Sequence, residues 1–533
     1  MPQHNQAFSR HSLGAKWENW HETIPDKVTG PIRTAWIDEI NPPSHNRTTY
    51  SANAVKTCTA RIQQSIKDAQ DAGIECRAVG RRWSLSDAPV TRGAMIDLWR
   101  LKGKRQIRKS QVDPGYIGGE DKRRTLCLIQ AGNYISEINE WLEDDVRKLS
   151  MRVTGAANGQ TIAGALSTGT HGSVLGMGAI HDQVVGLHIV TGPNPGDEVW
   201  LERASYPVLL PAVAQGYGAN LVRDDDLFNA ALIGLGAFGV IHNVVMETTP
   251  RYLLEAFNTD KDDADQRLIL DAEMRARVGN LDFSATRLDP PGKSGTPHFY
   301  QPIINPNTNP PQVLQTHMYK VDWEDGYRPD YRIKEDTFGP GYDFVSIAGR
   351  VLNVAEFLVP LFANLVASSM FQLGNKKGSW GELFGYKVQR TKVASGTVAV
   401  DISDALDTLD ALIELNAEIG PIPVVYGCRY IAKTQALLGF NKWDTTFVVS
   451  IDGLYNEDSV KLFDRLGGKM AQKGIEFTQH WGKSNLYDPA RVRSLYGNSN
   501  VDTWIAARHT LMPDANVRRM FENDLIRRCG LDG

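Results

Sequence analysis

The chain has 533 residues, of which 42% are hydrophobic and 23% charged, with 48 glycines; this excludes disordered and fibrous classes and is long enough for two hydrophobic cores. A formal net charge of -4 excludes a generic polyanion binder, so no nucleic-acid partner is expected. The five cysteines are scattered with no CxxC pair, which excludes zinc ribbons and disulfide frameworks and favours a reducing, cytoplasmic setting.

Residues 1–17 have no apolar run of the signal-peptide kind. Rich in Trp, Pro and polar residues, residues 1–40 are expected to wrap the surface as an N-terminal extension. Helical spacing of small and apolar residues predicts a helix over 54–72, stopped by Gly73, followed by strands at 74–80 and 94–98. The basic run 100–109, with Lys122, Arg123 and Arg124 behind it, is read as a solvated loop or hairpin, with phosphate contact as the alternative. From 152 to 186 glycines and small residues dominate; such a stretch buries little side chain and lets backbone approach a ligand. A strand at 187–192, a helix around 227–231 and a strand at 239–250 close a first domain, 41–250.

Residues 251–495 read as an α+β second domain, with strands at 397–402 and 445–452 and a helix at 405–420. The Pro-, Asn- and Asp-rich segment 300–332 is expected to be a long surface connection. The apolar segment 344–373 contains Arg350, Glu356 and Pro360, so a buried helix pair is preferred to a bilayer span; an interfacial helix, a subunit contact or an apolar substrate wall are the alternatives. The tail, 496–533, is expected to return to the first domain, with 513–530 as a closing helix.

Gly234, Gly236 and Gly239 formally spell GxGxxG, but a helix precedes them and a strand follows, the reverse of a dinucleotide fingerprint. The stronger constellation is two loops, Gly80-Arg81-Arg82-Trp83-Ser84 and 161–173 (TIAGALSTGTHGS), able to offer successive backbone N–H groups to a pyrophosphate. There is no HExxH, and Asp224, Asp225 and Asp226 read as a helix N-cap, so no metal site is expected; no GxSxG elbow supports a hydrolase.

These two loops resemble the flavin loops of the vanillyl-alcohol oxidase/PCMH superfamily, and 161–173 resembles its aldonolactone oxidase/alditol oxidase branch. The strand region 232–250, the His480-Trp481-Gly482-Lys483 quartet and Phe521-Glu522-Asn523 are similar to further motifs of that branch. The resemblance implies an α+β fold: a PCMH-type FAD-binding domain of two α/β subdomains with an inserted α+β cap (substrate) domain. It implies FAD held by Gly80, Arg81, Arg82, Trp83, Ser84 and Leu85, by Gly155, Thr161, Ile162, Gly164, Thr168, Gly169, Thr170, His171, Gly172 and Ser173, and by Val240 and Ile241 on the riboflavin side.

The sequence departs from the branch twice. Trp83 stands where the branch has the histidine that bonds covalently to flavin, so FAD is expected to be non-covalent; Arg81 and Arg82 are read either as phosphate partners or as members of surface salt bridges. Gly427-Cys428-Arg429 stands where the branch has Glu-x-Arg, so the arginine is kept and the carboxylate lost, which tilts expectation toward a less polar substrate. Lys483 and Arg429 are the candidate catalytic cations; Lys483 or His480 is alternatively a base, and His171 a brace for its loop.

The expected activity is FAD-dependent removal of a hydride from a CH–OH carbon of a small molecule, with dioxygen or another acceptor reoxidising the flavin. The alternatives are a flavin-binding protein that has lost alcohol oxidation and a membrane-associated electron-transfer dehydrogenase.

Overall fold

The computed structural model describes residues 8–19, 32–42, 50–118, 125–156, 158–259, 264–284, 293, 295–331, 375–384 and 393–533. The apolar segment 344–373 and residues Lys122, Arg123 and Arg124 lie outside them. Among the described residues no helix is long and apolar enough to cross a membrane.

The first half builds two large sheets, besides the small pair of Leu149–Ser150 with Thr249–Pro250. In a four-stranded sheet Ile32–Ile40, Ala94–Asp97 and Cys76–Val79 run parallel, and Phe8–Trp17 pairs antiparallel on the outside. The helix Ala52–Asp71 covers it because Cys58, Ile62, Ile66 and Ala69 recur at helical spacing on one face, while Val55 packs with residues of the six-stranded sheet. Ser51 caps the start by accepting from the Ala54 N–H, and Gly73, at φ +66°, lets the chain leave. The second sheet has six strands, with Val184–Val190 and Val240–Glu247 near its centre; the first of these is buried throughout, which its near-continuous apolar run requires.

Seven antiparallel strands form the sheet of the second half, in the order Lys376–Gly378, Leu253–Thr259, Gln312–Val321, Phe299–Asn305, Val424–Ala432, Thr445–Leu454, Val393–Asp401. Tyr426, Cys428, Tyr430, Val449 and Ile451 pack on one face, in one core with the helices Ala405–Ile419 and Glu457–Gln472. Strand alternation then turns Gly427, Arg429, Ser450 and Asp452 to the opposite face. Trp481, Tyr487, Val492, Trp504, Leu525 and Ile526 share a core with first-half residues such as Ile129, Ile189 and Phe238.

Several expectations are corrected. Residues 32–40 are not a surface wrap but an interior strand, and 8–17 pair beside them. Most of 300–332 is not a surface connection: Phe299–Asn305 is buried throughout and Gln312–Val321 nearly so. The turn-forming Asn and Pro residues concentrate between these strands, and Pro302 sits just beyond Ile303, where pairing with Val424–Ala432 has ended. The glycine-rich stretch buries more than expected, because it contains the short helix Ile162–Thr168 with Ile162, Ala165 and Leu166 in the core. The closing helix of the tail is two short ones, Ala515–Met520 and Asp524–Arg528, interrupted by Asn523 as an N-cap. In the basic run, Lys104–Gln106 pairs with Leu126–Gln130 as a hairpin strand would, but Lys102 is buried against Glu137 at 2.7 Å. Asp224 caps Asp225–Leu232 as expected.

Candidate active site

A cavity of about 240 Å³ opens between the two loops and the polar face of the seven-stranded sheet. Gly80, Arg81, Arg82, Trp83, Ser84 and Leu85 line it, as do Thr161, Gly164, Thr168, Thr170, His171 and Ile241. Arg429, His480 and Lys483 line its other end. Gly155, Ile162, Gly169, Gly172, Ser173 and Val240 do not. Ile162 and Val240 are core side chains, and Gly169, at φ +87°, ends the short helix. Ser173 donates to the Tyr300 carbonyl and accepts from the Tyr430 N–H at 3.0 Å, so it fastens the glycine-rich loop to the seven-stranded sheet.

The loops meet because their residues allow it. A Cβ on Gly80 would stand 2.2 Å from Thr161 Oγ1, so only glycine permits that approach. Asn523 donates to the carbonyls of Asp87, Ala88 and Val90 at 3.0–3.1 Å and holds the segment after the first loop. Buried Arg77 donates to Gly236 O at 3.1 Å and Phe521 O at 2.7 Å, tying the Gly234–Gly239 loop to the tail. That loop lines the cavity through Leu235, Gly236 and Gly239, although in strand-and-helix context it is no Rossmann site. The quartet 480–483 docks on the first loop through a 2.8 Å bond from Leu85 N–H to Gly482 O, with Trp481 anchored by its Nε1–H to Leu438 O at 2.8 Å.

The residues present fit FAD. Gln160 lines the cavity with its Oε1 buried and unbonded, and the side-chain amide of neighbouring Asn158 is buried without a protein partner, as expected of groups awaiting a polar ligand. Trp83 packs so closely over Gly159 that a Cβ there would lie 2.3 Å from the indole. Arg82 takes a left-handed φ of +63° and sits 3.7 Å from Asp97, whose carboxyl burial raises to about 6. Arg81 lies over the Tyr134 ring at 5.3 Å.

Five polar groups converge at the far end. Lys483 Nζ is 2.9 Å from Asp452 Oδ1 and 3.2 Å from Ser450 Oγ. Ser450 Oγ also accepts from Arg429 Nη1 at 2.8 Å, and Ser395 Oγ donates to Asp452 Oδ1. Burial pushes the Asp452 carboxyl up, but Lys483 and Arg429 outweigh it and hold the group below its ordinary range. Asp452 and Ser395 were not singled out in the sequence; the only available signal was the period-two alternation that puts 450 and 452 on the face of 427 and 429.

Two histidines face the same cavity in opposite tautomers. His480 Nδ1 accepts from the Gly482 N–H at 2.9 Å, so in the neutral ring Nε2 carries the proton. His171 Nδ1 lies 3.1 Å from the Gly172 carbonyl, to which it must donate, so its Nε2 is a lone pair. Their ring centroids are 5.8 Å apart. Burial, then the nearby Lys483, lowers His480 to about 3; burial and Arg429 hold His171 well below its ordinary value.

With this geometry the comparisons with known proteins agree. Residues 54–201 match the family described as FAD binding domain. The chain is 24% identical over 489 residues to an L-gulono-1,4-lactone dehydrogenase of Mycobacterium tuberculosis, covering 90% of this chain and 95% of that protein. It is 26% identical over 198 residues to a D-arabinono-1,4-lactone oxidase of Debaryomyces hansenii, a match spanning 37% of this chain and 31% of that one. In fold it is similar to cholesterol oxidase from B. sterolicum, with a TM-score of 0.66, 14% identity, and coverage of 99% of this chain and 98% of that one.

The chain is thus a flavoprotein with an FAD-binding domain in a PCMH-type α+β fold. More particularly, it is an FAD-dependent oxidoreductase whose homologues include an aldonolactone dehydrogenase and an aldonolactone oxidase.

Proposed function

We propose that the protein oxidises the CH–OH carbon of a small hydroxylated compound, of the lactone type named for its relatives, at the Arg429 and Lys483 end of the cavity. Dioxygen or another acceptor completes the cycle. The observation that carries this reading is the convergence of two cations, Arg429 and Lys483, on one serine opposite the loops that would hold the cofactor. Bound FAD supplies the hydride acceptor. Arg429 and Lys483 supply fixed positive charge where reduction leaves negative charge. His480 offers its Nε2–H to the substrate oxygen, while the lone pair on His171 Nε2 takes the hydroxyl proton. Negative charge arriving nearby favours that transfer, since Arg429 and Lys483 are among the groups that keep His171 neutral beforehand.

FAD is held without a covalent bond, because the indole of Trp83 has no nucleophilic nitrogen for the link. The residues we assign to it are those of the two loops that line the cavity, with Ile241; Ser173, Gly172 and Gly169 shape the cradle from behind. We read the flavin-holding unit as 41–250 joined by the returning tail, and 251 to about 480 as the substrate unit. The return begins earlier in this reading than residue 496, since Trp481 and Tyr487 share the first-half core. The five cysteines are free and buried, which supports a reducing, cytoplasmic compartment.

The test is anaerobic mixing of the FAD-loaded protein with L-gulono-1,4-lactone and with D-arabinono-1,4-lactone. Loss of the oxidised flavin spectrum with at least one of them is expected. A spectrum untouched by both, and by simple polyols, would overturn the assigned substrate class.

A further inference from the structure

We propose that Asp452 is the carboxylate that binds a substrate hydroxyl in this site, replacing from the neighbouring strand the glutamate absent at Gly427; the proposal rests on the oxidoreductase reading above. Val424–Ala432 and Thr445–Leu454 pair antiparallel with Gly427 opposite Ser450 and Val425 opposite Asp452. Asp452 therefore lies on the same sheet face as Gly427, one strand across and one pleat along. It lines the cavity beside Arg429 and Lys483 and is 4% exposed.

Nothing crowds Gly427. A Cβ there would meet Gln301 Nε2 at 3.8 Å, Arg429 Nη2 at 3.9 Å and Ser450 Cβ at 4.0 Å, all ordinary contacts. Glycine at this position is therefore not forced by packing.

The bonding of Asp452 leaves it half available. Both Lys483 Nζ and Ser395 Oγ bind Oδ1, so Oδ2 is left to accept from a ligand. The flanking cations keep the carboxylate ionised, hence an acceptor without a proton of its own. Such a group selects a ligand that donates, which a hydroxyl does and an apolar carbon skeleton does not. The expectation of a less polar substrate rested partly on a missing carboxylate; the structure has one, displaced by a strand.

The experiment compares wild type, Asp452→Ala, Asp452→Ser, Gly427→Glu and the Asp452→Ser/Gly427→Glu double variant, each with FAD bound. Two readouts are taken: the concentration dependence of anaerobic flavin reduction by L-gulono-1,4-lactone and D-arabinono-1,4-lactone, and perturbation of the oxidised flavin spectrum by the same lactones and by xylitol. Loss of a hydrogen bond to a charged group predicts affinity weaker by about tenfold to a hundredfold in both single Asp452 variants, with FAD retained. Partial recovery is expected in the double variant, which a merely structural role for Asp452 would not give. Asp452 variants that keep FAD and bind all three probes as wild type does would overturn the proposal. If wild-type flavin is perturbed in an Asp452-dependent way but never reduced, the function reading fails and this proposal stands. If no probe perturbs or reduces wild-type flavin, both fall.

Discussion

Arg429 and Lys483 come from different strands and turns yet share one hydroxyl, Ser450 Oγ, at 2.8 and 3.2 Å. Replacing Lys483 by Met removes a charge without removing bulk, so FAD should remain bound while the rate of flavin reduction falls about 10²- to 10³-fold, the scale seen for a single electrostatic donor in an active site. Stopped-flow absorbance measures it; an unchanged rate would place Lys483 outside the chemistry. The histidines give a second prediction. With His480 lowered to about 3 and His171 held well below its ordinary value, neither is expected to titrate at the ordinary histidine pH. The rate of flavin reduction should therefore show no inflection near pH 6.5, and an inflection there that disappears in His480→Gln would contradict the neutral state that burial imposes on His480. At this scale motifs in the sequence pick out Lys483, Arg429 and His480, which line one cavity. The sequence was silent on Asp452, whose proximity depends on strand pairing rather than on local spacing.

The cradle is a matter of elements meeting closely. Gly80→Ala would drive a methyl into Thr161 and should cost about 1–3 kcal/mol of stability, with FAD affinity weakened in parallel; titration of apoprotein followed by flavin fluorescence gives the outcome, and unaltered affinity would mean that the two loops can separate. Asn523→Ala removes a donor shared by three carbonyls of the 87–90 segment; the Asp87 carbonyl keeps the Val90 N–H and the Ala88 carbonyl keeps Arg77, so the loss falls on the Val90 carbonyl and should lower stability by about 1–3 kcal/mol, read as a fall in Tm. Legibility at this scale followed hydrophobic period. The helix at 54–72 and the strands and helix of 397–452 were readable because their apolar residues repeat at the spacing of the element. The strands Phe299–Asn305 and Gln312–Val321 were not, since Pro302 and a polar, doubly buried pattern imitate a loop. The helix Ile162–Thr168 was hidden for the same kind of reason: its small residues read as backbone exposure.

Across the whole molecule, burial sets two opposed pH dependences. It holds the imidazoles of His171, His181, His242, His298, His317 and His480 below their ordinary value. As pH falls below about 6.5 the unfolded chain takes up protons that the folded chain refuses, so these groups remove stability on acidification. Burial also raises the carboxyls of Asp97, Glu143 and Glu202, to about 6, 7 and 7. Those favour the folded state when protonated and lose that contribution as pH rises through 6 and 7. The histidines outnumber the carboxyls, so Tm should rise from pH 5 to pH 6.5; a scan in which Tm falls over that interval would show that the buried carboxyls dominate.

The central claim, that this cavity holds FAD by contact alone, is tested most directly by the visible spectrum of the purified protein before and after acid precipitation. Oxidised-flavin absorbance at one FAD per chain is expected, with all colour released to the supernatant. Colour retained in the pellet would contradict the non-covalent assignment at Trp83, and a colourless protein that cannot be reconstituted with FAD would contradict the account as a whole.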